Sequence, residues 1–144
     1  MTDDHPRAGE QHRVRVVDNG VTESLLLQVA ELNYPELALS FSSARRAWTA
    51  TGTDVFEALM NLRLDLEAEG VRLCCNGARR NAWASGMQRD MGRGRFVHLL
   101  EKGTTGRPPQ VRTLDAAPCG EIVTVQEQKD FHADWLAQRR SHNA

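Results

Sequence analysis

The spacing of apolar and polar positions changes several times along the chain, and each change marks an element. Val14, Val16 and Val17 form a short β-branched run after His12, a composition that suits a pleated strand. Asp18-Asn19-Gly20 follows. Asn-Gly accepts the positive φ values of a type I′ hairpin turn, so Ser24–Ala30 is expected to be the return strand. Pro35 breaks the pattern. Leu37, Leu39 and Phe41 then alternate with small or polar residues, as in a half-buried strand. Ala47–Ala50 around Trp48 reads as a fourth strand, reached through the short segment Ser42–Arg46.

The period then becomes helical. Val55, Leu59, Leu62 and Leu66 recur at i, i+4, i+7 and i+11 and predict a helix over Asp54–Glu69. Thr53 or Asp54 can cap it, Asp54 and Glu57 suit its positive end, and Gly70 suits its exit. Val71–Cys75 is nearly continuous in apolar residues and is expected as a central strand. Ser85 can cap a single helical turn over Met87–Met91. Phe96–Leu100 and Gln110–Leu114 read as short strands. Thr124-Val-Gln-Glu127 is a capping box that opens a C-terminal helix to about Arg139, with Phe131 and Trp135 as its anchors. Strands followed by a helix, twice over, predict an α+β fold: a single-domain two-layer sandwich with a mostly antiparallel sheet and two main helices. Residues 1–11 lack apolar residues to anchor them and are expected to be a disordered tail. Residues 12–140 form the domain, and 141–144 are expected to fray.

Charge sharpens this picture by its placement. The 144 residues carry a net charge of −1, so nothing draws the whole chain to nucleic acid or a membrane. From Asn76 to Lys102, however, six basic residues face two acids, while Thr51–Gly70 holds five acids and one base. No apolar run is long enough to cross a membrane, and the first residues lack the apolar stretch of a secretory leader, so a cytoplasmic location is expected. Cys74 and Cys75 are adjacent and Cys119 is distant. Neighbouring strand residues point to opposite faces, which makes the vicinal pair a poor chelate. All three cysteines are read as reduced, and neither a metal nor a cofactor is expected.

The candidate chemistry lies in residues 74–95, where Arg79, Arg80, Arg89, Arg93 and Arg95 alternate with Gly77, Gly86, Gly92 and Gly94. Arginine presents a planar fork for carboxylate or phosphate. Glycine permits close approach of the backbone or a positive φ. This segment is read as an arginine-rich loop, with Trp83, Met87 and Met91 as apolar anchors for a partner, a residue set typical of interface cores. The competing structural reading pairs the arginines with the acids of the Asp54–Glu69 helix. No phosphate-loop or dinucleotide pattern is present, and no Ser, His and acid set can be assembled from spacing. A small-anion enzyme would have to draw a base from His98 or Asp90. His132 and Cys75 read more simply as packed residues. RNA binding would use Trp83 beside Arg79 and Arg80, but nucleic acid is not the expected partner.

The segment Leu73-Cys-Cys-Asn-Gly-Ala-Arg-Arg80, with Ser85-Gly-Met-Gln-Arg-Asp-Met-Gly-Arg-Gly-Arg95, resembles a signature, CNGAR…SGM.R.MG.G, of a group of small uncharacterised bacterial proteins. Some members of that group resemble immunity proteins of secreted polymorphic toxins. The resemblance covers about a quarter of the chain and carries no catalytic residues. It implies a non-catalytic protein-binding role in which the loop occludes a toxin with an acidic site. The alternatives are a protein acting on a small phosphate- or carboxylate-bearing ligand, and an RNA-binding adaptor.

Overall fold

Asn19 and Gly20 take φ values of 49° and 89°, the turn expected of Asn-Gly. They fold β1 (Glu10–Asp18) onto β2 (Val21–Glu31) in antiparallel register, with Val14 opposite Leu25 and Val16 opposite Glu23. The computed structural model describes residues 10–44, 46–104 and 106–142. β3 (Leu37–Ser42) and β4 (Ala47–Gly52) extend the sheet on one side, and β5 (Val71–Cys74) pairs with β1 on the other. All pairings are antiparallel, in the order β4-β3-β2-β1-β5. β1 starts at Glu10, two residues before the expected boundary; residues 1–9 of the expected tail lie outside the described residues.

Asp54 caps α1 (Val55–Glu67) by accepting a hydrogen bond from the Glu57 amide. The predicted stripe of Val55, Leu59, Leu62 and Leu66 is completely buried against Val14, Val16, Leu27, Leu39 and Leu73 of the sheet. Full burial of a side chain of this size contributes about 1.5–3 kcal/mol, so the stripe dominates local stability. Phe56 and Met60, on another side of α1, enter a second apolar cluster with Ala82, Ala84, Val97 and Val125. That cluster lies on a second antiparallel sheet, β6 (Ala82–Trp83), β7 (Phe96–Leu99) and β8 (Gln110–Arg112), in the order β6-β7-β8. α2 (Gly86–Asp90) links β6 to β7, and α3 (Val125–His142) ends the chain. α3 opens at the expected capping box: Thr124 Oγ1 accepts from the Glu127 amide at 3.1 Å, and Glu127 accepts from Thr124 N at 3.2 Å. It runs past Arg139 to His142, and residues 143 and 144 of the expected frayed end lie outside the described residues. The architecture is a single α+β domain, with α1 supplying side chains to both clusters.

Two expectations are corrected. β5 lies at one end of its sheet, not at the centre. Its apolar sequence has another cause, since both of its flanks are covered. α1 packs on one face, and residues 115–117 run along its free edge, with Asn76 N donating to Asp115 O and Ala117 N to Cys74 O. The second correction concerns the cysteines. Cys74 and Cys119 form a disulfide across a Cα separation of 4.9 Å, leaving buried Cys75 as the free thiol. The vicinal pair does diverge. The 115–117 crossing, anchored by a bridge between Cys75 and Ala116, brings the distant Cys119 to Cys74.

Candidate functional site

The basic segment is a folded knuckle, not an open loop. After β5 the chain makes a buried 3-10 turn at Asn76–Ala78. A Cβ at Gly77 would come within 2.6 Å of both Leu59 and Thr113, so the backbone there lies directly on the core. Gln128 of α3 is fully buried, and its Nε2 faces the carbonyls of Gly77, Arg79 and Ala82 at 2.7–3.0 Å. Its Oε1 accepts from Arg63 of α1 at 2.5 Å, and Arg63 also donates to Val123 O. Burial lowers the Arg63 pKa from its ordinary value. One glutamine thus ties the knuckle to both long helices.

Ser85 and Gln88 form a capping box on α2, and buried Gln88 donates to Gln110 of β8 at 3.0 Å. Gly92 passes so close to the Gln88 carbonyl that a Cβ would lie 2.9 Å from it. Arg93 and Gly94 both take positive φ, 55° and 71°. Glycine does so freely, whereas arginine is strained there. The Arg93 carbonyl accepts from Val55 N at 2.8 Å, and a Cβ on Gly94 would meet Asp54 Oδ1 at 2.5 Å and Phe56 N at 2.7 Å. The glycines therefore let the knuckle approach the chain's own helix.

Every arginine of the expected site has a carboxylate partner. Arg79 meets Glu121 at 2.6 Å and Arg80 meets Glu127 at 3.7 Å, both close to the start of α3. Arg89 lies 3.6 Å from Asp54 and over the Phe56 ring. Arg93 meets Glu31 at 3.2 Å, donates to Pro35 O at 2.6 Å and stacks over Tyr34. Arg95 bridges Glu10 and Glu31 at 2.9 and 3.4 Å. Burial raises the Glu10 pKa, but the hydrogen bond and charge of Arg95, with His12, outweigh it and hold that carboxyl below its ordinary value. Only Arg89 uses an acid from the expected helix, its N-cap. The other partners come from β1, β2 and the approach to α3, connections that no local pattern shows.

Four of these arginines fall into two groups, and Arg95 lies apart, beside Glu10, His12, Arg112 and Leu114. Arg79 and Arg80 line a cleft of about 410 Å³ with Asn81, Leu100, Glu121 and Phe131. Arg89 and Arg93 line another of about 420 Å³ with Tyr34, Pro35, Thr53, Asp54 and Asp90. Trp83 faces neither cleft. It packs edge-on against Phe56 and stacks on His132 with ring centroids 4.1 Å apart. Met87 and Met91 are 72% and 81% exposed, and Tyr34, which the sequence reading did not single out, is 78% exposed. Gly86 and Asp90 of α2 line the Arg89–Arg93 cleft, and the two methionines follow them in the chain.

Two arginines and two aspartates balance in the Arg89–Arg93 cleft, and a small anion would face both carboxylates. Three of the helix amides nearby are committed: Val55 N to Arg93 O, Glu57 N to Asp54 Oδ1, and Ala58 N to Asp54 O. His98 does not line that cleft with Asp90; it sits on β7 between Trp83 and Gln110 with its Nδ1 buried and unpartnered. Burial pushes the Cys75 thiol up to about 11, which suits an inert core residue. Among the described residues no group of three His, Cys, Asp or Glu side chains could hold a metal ion, and no helix is long and apolar enough to cross a membrane. No family model matches the chain, and no curated protein matches it.

Proposed function

We propose that this protein is a non-catalytic binding domain of the immunity or inhibitor type, and that it occludes a partner protein through the knuckle. The observation that carries this reading is the placement of Met87 and Met91, with Tyr34, as exposed apolar side chains on a backbone fixed by buried Gln88 and Gln128. Two highly exposed methionines one helical turn apart on a short, capped helix form an apolar spot of the kind that interaction sites use. Methionine adapts its shape to the surface it meets, and a rigid mount lowers the ordering cost of binding. Arg89 and Arg93 flank this group and can exchange their present carboxylates for acids of the partner, such as those of a toxin active site. Arg79, Arg80 and Arg95 act as struts that hold the knuckle in place, and Trp83 supports it from below.

The neighbouring gene supplies the natural partner to test. Its product is expressed alone and with this chain, and cell growth and complex formation are measured. The wild-type chain should restore growth and bind. Met87→Glu/Met91→Glu should abolish both while leaving the melting temperature within a few degrees of wild type, because both side chains are solvent-exposed. Equal neutralisation by the double variant would remove the knuckle from the function. A cytoplasmic site of action belongs to this reading. There Cys74 and Cys119 would meet reducing thiol pools, so trapping their oxidation state in intact cells tests the compartment.

A further inference from the structure

The register of the five-stranded sheet separates its residues into two faces. One carries Val14, Val16, Leu27, Leu39 and Leu73 toward α1. On the opposite face most of the described residues along β1–β4 are exposed. No outward strand position on that face is acidic, and the charged ones are Arg13, Arg15 and Arg72. The remaining positions are mainly Ser, Thr, Ala and Gln, with Leu26 and Val17 the largest apolar side chains and no aromatic among them.

Two of the three arginines are close neighbours. Arg13 and Arg15 are two residues apart on β1, a spacing of about 7 Å. Arg15 is paired with Cys74, and Arg72 follows two residues away on that adjacent strand. Arg72 lies opposite Val17, so its Cα is about 14 Å from that of Arg13, beyond one Debye length at physiological salt, whereas Arg13 and Arg15 lie within one and act together. Neither Arg13 nor Arg15 has a carboxylate within ion-pair distance among the described residues, whereas the charge of Arg72 acts on the Glu127 carboxylate of α3. Arg13 donates to Ser24 Oγ at 3.4 Å and Arg72 to Ile122 O at 3.2 Å. The contrast with the knuckle is chemical: there each arginine meets an acid, and here Arg13 and Arg15 meet none among the described residues.

We propose that this sheet face is a second docking surface, and that its partner is a protein presenting a compact group of carboxylates. Charge complementarity sets the sign of the partner. Small side chains around the arginines allow a helix or sheet to approach closely, and forked guanidinium groups favour carboxylate pairs over a diffuse charge. The size and composition of the face argue against nucleic acid. It offers no aromatic ring for base stacking, and the chain that carries it has a net charge of −1. The proposal does not depend on the knuckle being a binding site.

The full-length chain is titrated with poly-L-glutamate and, separately, with a mixed-sequence single-stranded RNA of equal charge. Poly-L-glutamate should bind, with an affinity that weakens as salt is raised. Arg13→Glu/Arg15→Glu should reduce it at least tenfold. Arg13→Gln/Arg15→Gln, which removes charge without adding repulsion, should show an intermediate loss and retains the test if the reversal variant fails to fold. No binding of poly-L-glutamate, or binding unaffected by both sheet-face variants, overturns the proposal. Tighter binding of the RNA through Arg13 and Arg15 overturns the choice of partner. A failure here with intact knuckle-dependent neutralisation would refute this surface alone.

Discussion

Gly94→Ala tests whether the glycine-punctuated signature exists for internal packing. Gly94 has φ +71°, and its Cβ would meet Asp54 Oδ1 at 2.5 Å, Phe56 N at 2.7 Å and Val55 N at 3.0 Å. A side chain in the left-handed region costs about 1–2 kcal/mol. The contacts are worse, because two of the three are helix backbone and cannot rotate away. Overpacking of that kind costs about 1–3 kcal/mol, and disturbing the Asp54 cap adds about 1 kcal/mol. The total is about 3–6 kcal/mol, a large share of the 5–15 kcal/mol typical of a domain. Urea unfolding followed by circular dichroism measures it, with two controls. Gly103 has φ +80° and open space around a built Cβ, so Gly103→Ala isolates the backbone penalty at about 1–2 kcal/mol. Gly86, with open space and no positive φ, should accept alanine with little loss or a gain of about 0.4–1 kcal/mol. If Gly94→Ala costs no more than Gly103→Ala, the approach of the knuckle to α1 is not what requires glycine.

Gln128→Leu leaves the Arg63 guanidinium and three carbonyls without their buried partner; at about 1–3 kcal/mol per unsatisfied group, it should destabilise by at least 3 kcal/mol in the same unfolding assay, and a cost under 1 kcal/mol would contradict the network. Thiol titration of denatured, unreduced protein should find one thiol, and native protein at pH 8 should show almost none, because Cys75 is buried with its thiol pushed up to about 11. Reduction should raise the count to three and lower stability by about 2–4 kcal/mol. Three thiols before reduction would exclude the Cys74–Cys119 bond. His132 has its pKa lowered from 6.5 by burial beside Trp83. The unfolded chain then binds the proton more readily than the folded one, so this contribution to stability is present above pH 6.5 and is lost as pH falls through the folded value. Comparing wild type with His132→Phe between pH 5 and 8 should show the slope flattened in the variant; identical slopes would rule out this histidine as its source.

Local chemistry was the legible part of the fold. The Asn19-Gly20 turn, the α1 stripe, the Ser85 and Thr124 caps and most strands follow from rules that act within a few residues. What failed to show were relations between distant segments. Val71–Cys74 has the composition of a central strand, and only the crossing of residues 115–117 reveals that an edge strand can be covered on both sides. The two-residue β6 is too short for any periodicity, so the second sheet had no sequence signal of its own beyond β7 and β8. The Cys74–Cys119 pair spans 45 residues and lacks a recognisable spacing. The candidate site was legible as a place but not as an arrangement: the knuckle was visible in composition, while its ion pairs draw on Glu10, Glu31, Glu121 and Glu127.

The two arginine populations show why counting charge along a sequence misplaces it. The densest basic stretch is electrostatically spent, since its forks close on carboxylates from four other parts of the chain. Arg13 and Arg15 look unremarkable in sequence, with Glu10 and Asp18 at the ends of the same strand. Strand pleating separates them: Glu10 and Asp18 share the face of Val14 and Val16, whereas Arg13 and Arg15 share the other. Register then decides what lies beside them, and β2–β5 contribute no acid to that face. A shift of one residue in the β1–β2 pairing would bring Glu23 across to the side of the arginines and neutralise part of the patch. The Asn19-Gly20 turn fixes that register, so a two-residue turn determines which charges share the outer face of the sheet.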